Sequence, residues 1–217
     1  GGIEIYDYIG AVLQTGFMQR HNLSVEGGSD KATIRASGSF QDATGVIKTT
    51  SDTRINLSIT GQAQINQWLK FEGSMQYANT GTNKALRGTD GPLYRSMLWP
   101  IVDDMSMYLN ADGSHMKTPD YYIDGDLLNP LYGLYKNRFY DKSDRFLSNV
   151  AFTLTPTKKT FLRAQLGWDV GTQTYTASRH PYYAAYNNGV GNYNLTHDNF
   201  SNPTVNILAG YNNKFFD

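Results

Sequence analysis

Between Arg54 and Ile65 the chain alternates without a break. Ile55, Leu57, Ile59, Ala63 and Ile65, with Gly61, fall on one side of an extended chain, and Arg54, Asn56, Ser58, Thr60, Gln62 and Gln64 fall on the other. Successive side chains of a strand point to opposite faces, so a period of two means a strand with one apolar and one polar face. The polar face narrows the choice further. A water-facing strand of a soluble sheet is normally dotted with Lys and Glu, whereas this one carries almost only neutral hydrogen-bonding groups, which suits a hydrated lumen.

The same design recurs along the chain. Ala32, Ile34, Ala36, Gly38 and Phe40 alternate with Thr33, Arg35, Ser37, Ser39 and Gln41. Leu69, Phe71, Gly73, Met75 and Tyr77 alternate with Lys70, Glu72, Ser74, Gln76 and Ala78. Further on, Phe146, Val150, Phe152 and Leu154 oppose Asn149, Ala151, Thr153 and Thr155, and Leu162, Ala164, Leu166, Trp168 and Val170 oppose Arg163, Gln165, Gly167, Asp169 and Gly171. Weaker versions occupy Asn22 to Glu26 and Val205 to Tyr211. The pattern predicts seven strands of about 10 to 13 residues, enough for a tilted crossing of a bilayer, which needs about 9 to 11.

The links between the strands alternate between short and long: Ser29 to Lys31, Thr44 to Asp52, Asn66-Gln67, Thr80 to Ser143, Pro156 to Lys159, and Gln173 to Asn202. A soluble sandwich has no reason to place its long excursions at one end. A transmembrane barrel does, with short periplasmic turns and long extracellular loops. The fold class expected is therefore all-β, an antiparallel up-and-down transmembrane β-barrel segment with long extracellular loops over about 80–143 and 173–202. Seven strands in this order leave two unpaired edges, so the whole of 1–217 reads as part of a larger barrel domain. The start at Gly1-Gly2-Ile3-Glu4, without Met or signal core, reads as a piece of a chain. Trp68, beside a short turn, reads either as a headgroup-level member of an aromatic girdle or as an ordinary strand-end core residue.

Composition limits the alternatives. The 217 residues include 19 basic and 19 acidic side chains, so charge points to no nucleic-acid groove and no polybasic patch. The absence of Cys excludes a disulfide scaffold, a thiolate metal site and a cysteine nucleophile. No apolar run approaches the roughly 18 to 20 residues of a membrane-spanning helix.

The long link from Thr80 to Ser143 has structure of its own. Gly91-Pro92 opens a predicted helix over Pro92 to Val102, with Pro92 at the first helical position and Pro100 ending or kinking it. The link is rich in aromatic rings, and Tyr108, Tyr121, Tyr122, Tyr132, Tyr135 and Tyr140 lie beyond the helix. Amphipathic rings at this density either stack on a sugar or peptide or pack the loop against itself. The candidate ligand contacts are Tyr94, Trp99, Tyr121, Tyr122, Tyr132 and Tyr135, and the candidate lumen-facing groups are Arg54, Asn56, Gln62, Arg163 and Asp169.

No constellation demands an enzyme, a metal or a cofactor. There is no nucleophile elbow, zinc-protease helix, phosphate loop or dinucleotide fingerprint. His21 reads as a strand residue near a rim, and His115, His180 and His197 read as loop surface without metal-like spacing. The carboxylates of Asp120 to Asp126 lack the calcium-loop pattern and read as a solvated turn. A soluble extracellular carbohydrate-binding β-sandwich or adhesin module remains as an alternative, as does a passive pore. A glycoside hydrolase would need a carboxylate facing Asp169 that the sequence does not display.

The segment Gly16-Phe17-Met18-Gln19-Arg20-His21-Asn22-Leu23-Ser24-Val25-Glu26-Gly27-Gly28-Ser29-Asp30-Lys31 resembles the opening barrel strands of SusC/RagA-type TonB-dependent outer-membrane transporters. Three further stretches follow in the order of that family: Asp42-Ala43-Thr44-Gly45-Val46-Ile47-Lys48, Ile65-Asn66-Gln67-Trp68-Leu69-Lys70, and Asn129-Pro130. Thr44 stands where the family usually has Glu, and Asp7-Tyr8 where it often has Asp-Trp. The resemblance implies a plugged barrel of about 22 strands, a plug and a TonB-contacting segment outside these residues, and a SusD-like surface lipoprotein as partner. It implies active import of oligosaccharides or peptides across a bacterial outer membrane, with the lipid bilayer around the wall and no nucleic acid involved.

Overall fold

The computed structural model describes residues 4–111, 129–181 and 190–212. Its seven strands are β1 (Phe17–Ser29), β2 (Ala32–Thr44), β3 (Ser51–Asn66), β4 (Leu69–Lys84), β5 (Arg138–Thr157), β6 (Thr160–Arg179) and β7 (Asn192–Tyr211). Each pairs antiparallel with its neighbours in sequence, giving one sheet in the order β1-β2-β3-β4-β5-β6-β7. The all-β, up-and-down expectation is met.

Short side chains close the three tight turns. Ser29 Oγ accepts from the Lys31 amide at 3.3 Å, and Thr157 Oγ1 from the Lys159 amide at 3.2 Å. Asn66 Oδ1 accepts from the amides of both Trp68 and Leu69 at 3.0 Å, an Asx turn that makes Gln67-Trp68 the two-residue loop. The register slips once beside each of the last two turns, between Gln64 and Asn66 and between Leu154 and Thr157.

The strands are longer than the alternation predicts. β5, β6 and β7 each run 20 residues. Their extra length lies at the end away from the tight turns, so the long links shrink from 80–143 and 173–202 to 85–137 and 180–191. In those extensions polar residues predominate and apolar ones such as Phe139, Leu195 and Phe200 are scattered, so the period-two signal fades although the hydrogen-bond ladder continues. His197, expected on a loop, belongs to β7 for this reason.

Three short helices gather at the same end: α1 (Tyr8–Val12), α2 (Pro92–Leu98) and α3 (Pro130–Lys136). α2 starts at Pro92 as predicted but stops at Leu98, short of Val102. Trp99 takes an extended conformation (φ −70°, ψ 135°), as a residue before proline does, because Pro100 crowds its helical conformation. α3 also starts at a proline, with Asn129 as its cap in place of the Gly91 of α2. The Asn129 side chain accepts from the amides of Leu131 (2.9 Å) and Tyr132 (3.3 Å), while its Nδ2 donates to Met105 O at 2.9 Å.

Among the described residues the sheet has no second layer, and the buried core cluster sits among the helices. Val12, Trp99, Met105, Leu131 and Leu134 form it, with Tyr8, Leu13, Ile47, Leu93 and Tyr108 packed around them. Backbone ties close the unit. The Tyr6 amide donates to Ile101 O (2.9 Å), the Lys48 amide to Val12 O (3.0 Å), and Thr49 Oγ1 to Leu134 O (3.3 Å). The segment before β1, the β2–β3 link and the long β4–β5 link are thereby joined into one body.

Candidate functional site

Register places the sheet's two faces side by side. On the apolar face, the row through Val25, Ala36, Ile59, Met75, Ser148, Trp168 and Pro203 crosses all seven strands. These side chains meet no packing layer: Leu23 and Ile207 are each 74% exposed. Phe71 and Phe152 form a tilted ring pair at 5.3 Å within the band.

The band does not follow the hydrogen-bonded rows. The row that begins apolar at Phe40 and Ile55 turns polar as Asn79, Asp144, Thr172 and Asn199. At the opposite edge, Leu69, Leu154, Leu162 and Ala209 form an apolar row whose β3 member is Asn66. Both edges slide the same way, by about one residue per strand. With strands about 4.8 Å apart and a rise of about 3.4 Å, that drift corresponds to an apolar belt cut across strands tilted by about 35° to 40°. Aromatic groups with polar tips mark the edge. Tyr77 donates to Asp144 Oδ1 at 2.7 Å, and Trp168 Nε1 donates to Ser201 Oγ at 2.8 Å.

The polar face is a continuous hydrogen-bonded lattice, and four of the five predicted lumen-facing groups take part in it through bonds to neighbouring side chains. Asn56 Nδ2 donates to Ser39 Oγ at 3.1 Å, and Arg54 Nε to Asp52 Oδ2 at 2.9 Å. Asp52 also accepts from Thr82 at 2.8 Å and from Gln41 at 3.4 Å. Arg163 bonds the Glu72 carboxylate and, at 3.2 Å, Thr153 Oγ1. Gln62 lines a hollow with Arg35, Thr60, Glu72, Asn149 and Arg163. Asp169 is held by Arg145 through two bonds, Nε to Oδ1 at 2.8 Å and Nη2 to Oδ2 at 2.6 Å. The sequence shows no partner for Asp169, because Arg145 lies on the preceding strand and only the β5–β6 register brings the two together.

The predicted ligand-contact aromatics divide. Tyr94 and Tyr135 are exposed, and Tyr135 stacks on Tyr108 with ring centroids 5.7 Å apart. Trp99 and Tyr132 are buried at 2% and 0%, where they build the helical unit. The Tyr132 hydroxyl meets His180 Nδ1 at 2.7 Å, and the His180 amide donates to Asn137 Oδ1 at 3.0 Å, fastening the end of β6 to α3. His180 is thus a structural partner rather than loop surface. Tyr121, Tyr122, His115 and the Asp120 to Asp126 carboxylates lie outside the described residues.

No protein-family model matches this sequence, and no curated protein does. Among solved structures the fold is similar to a chain of the RagAB peptide importer in its closed-closed state, with TM-score 0.76, 19% identity, and 99% of this chain against 24% of that one. In the open-open state of the same importer the values are TM-score 0.74, 20% identity, 94% and 23%. A structure of the RagAB peptide transporter gives TM-score 0.76, 18% identity, 99% and 24%. The chain spans about a quarter of the length of these neighbours. The likeness establishes an all-β sheet of this topology, and no helix among the described residues is long and apolar enough to cross a membrane.

Proposed function

We infer that the chain is a section of the wall of a TonB-dependent outer-membrane transporter that imports oligosaccharides or peptides with a SusD-like surface lipoprotein. The observation that carries this reading is the slanted apolar belt. A solvent-exposed band of Leu, Ile, Val and Phe, edged by Tyr77 and Trp168 and drifting across the rows at the tilt of a barrel, fits a bilayer around the wall. From Leu69 to Tyr77 the belt measures about 27 Å along the strand, which at that tilt is close to the height of an outer-membrane apolar zone. The polar face would then line the lumen, and the helical unit would stand at the extracellular mouth. Tyr94 and Tyr135 are the described aromatics available there to cargo or lid.

The family-like phrases at Gly16 to Lys31 and the similarity to the RagAB importer chains support import over a passive pore, which would share the one-ended long links. A soluble β-sandwich or adhesin accounts less well for a two-faced sheet whose apolar face carries no covering layer. Protease treatment of intact cells expressing the full parent protein, with cut sites mapped by mass spectrometry, tests the reading. Cuts within 85–137 and 180–191, with Asp30-Lys31, Gln67-Trp68 and Lys158-Lys159 protected, are expected. Equal cutting at the tight turns, or release of the protein by a salt wash, would mean a soluble sheet.

A further inference from the structure

We propose that Arg54 and Arg145 form a binding site for carboxylate groups of the cargo on the lumen face near the mouth. The inference rests on the wall reading above and adds the chemistry of what passes. The two residues lie on β3 and β5, separated by β4 and offset by two residues in register, so their backbones are about 12 Å apart.

What singles them out is that each guanidinium is anchored by an aspartate and still has donors to spare. A guanidinium has five N–H groups and no acceptor. Arg54 is pinned to Asp52 through Nε, which leaves its terminal nitrogens beyond the ion pair. Arg145 is pinned through Nε and Nη2, which leaves Nη1 unused by Asp169. Both side chains keep more than half of their surface open, 56% for Arg54 and 54% for Arg145. Their own aspartate partners are in the opposite condition. Asp52 accepts on both oxygens, from Arg54, Gln41 and Thr82, and both oxygens of Asp169 are taken by Arg145.

Orientation is fixed as well. Arg145 lies over the Phe200 ring at 5.8 Å, and Phe200 rests against Gly171, where a Cβ would come within 2.6 Å of the ring. The aspartate, and the ring that seats against Gly171, together restrain the Arg145 guanidinium on the polar face. Arg145 restrained in this way, with Arg54 anchored by one bond beside it, suits capture of carboxylate. Neutral sugars would gain less, since they offer neither the opposite charge nor the planar pair of acceptor oxygens that matches a guanidinium.

Carboxylate is carried both by acidic peptides and by uronate oligosaccharides, so the test uses both. Binding to the detergent-solubilised full parent protein is measured by calorimetry for a glutamate-rich peptide and its glutamine counterpart, and for an oligogalacturonide and its methyl ester. The acid form of at least one pair is expected to bind tighter, and the pair that shows the difference identifies the source. Arg54→Gln with Arg145→Gln should weaken the acid form about tenfold and leave the neutral form unchanged. A companion variant adding Asp52→Asn and Asp169→Asn keeps both sites neutral and hydrogen-bonded, and should show the same loss.

Equal binding of acid and neutral probes by the unmodified protein, or a preference that survives the substitutions, overturns the site. Uptake by cells separates the two readings. Import that is indifferent to Arg54 and Arg145 leaves the transporter reading standing without the site, whereas carboxylate binding without import leaves the site standing without the transporter.

Discussion

Arg163 reaches from β6 over the full width of β5 to the carboxylate of Glu72 on β4. Its own neighbour across the β5–β6 ladder is Thr153, whose hydroxyl it also bonds, and the residue opposite Glu72 on β5 is Ala151, only 4% exposed. The brace passes over a strand because that strand offers a methyl group where a longer side chain would block the path. Lys70 joins from the same strand as Glu72 at 3.3 Å.

Two substitutions separate the pairing from the space it needs. Glu72→Gln removes a partly exposed ion pair and should cost less than about 1 kcal/mol. Ala151→Leu fills the space under the guanidinium and should cost about 1 to 3 kcal/mol. Thermal unfolding of the full protein in detergent, followed by the gel shift of the heat-unfolded form, ranks them. A larger loss for Glu72→Gln would show that the charge pair, and not the clearance beneath it, holds this part of the wall.

Adjacent residues of β3 should differ sharply in their tolerance of charge. Ile59→Arg places a guanidinium in the middle of the apolar belt and should destabilise by about 2 to 4 kcal/mol in lipid. Ser58→Arg, on the polar face and bonded to Ser37 at 2.9 Å, should cost about 1 kcal/mol or less. Thr174→Arg, on the same face as Ile59 but beyond the belt, should be tolerated too. Folding yield into lipid vesicles is the measurement, and equal yields for Ile59→Arg and Thr174→Arg would contradict a bilayer around the belt.

The chain's three tryptophans offer a depth gauge. Trp68 and Trp168 stand at opposite edges of the belt and are half exposed, whereas Trp99 is 2% exposed within the helical unit. Brominated lipids should quench the fluorescence lost on Trp68→Phe or Trp168→Phe and leave that lost on Trp99→Phe untouched. Quenching of the Trp99 component would place the helical unit within the bilayer.

Asn129 should govern the helical unit without touching the wall. Its side chain caps α3 and satisfies Met105 O from a fully buried position, so Asn129→Ala loses the cap and leaves a buried carbonyl without that bond. A local loss of about 1 to 3 kcal/mol is expected. Hydrogen exchange should quicken in α3 and in the Met105 turn while β3 and β4 keep their protection. Faster exchange in the strands would mean that the helical unit and the wall unfold together.

The sequence by itself determined the strands, their order and which face of each is apolar, because a period of two is written in adjacent residues and short polar turns leave antiparallel neighbours as the sole outcome. It also displayed the start of α2, since Gly91-Pro92 is a local signal. Where the strands end was not legible: Asn79 to Lys84, Thr172 to Arg179 and Asn192 to Asn202 are mostly polar, with isolated residues such as Tyr175, Leu195 and Phe200 that sustain no alternation, and only the ladder shows that they are strand. Tertiary structure alone decided the rest, for one physical reason. Arg145 with Asp169 and Arg163 with Glu72 depend on register along the whole length of neighbouring strands, and Tyr132 with His180 and the burial of Trp99 depend on how the helical unit packs, so each joins residues from separate elements that no residue's immediate neighbours specify.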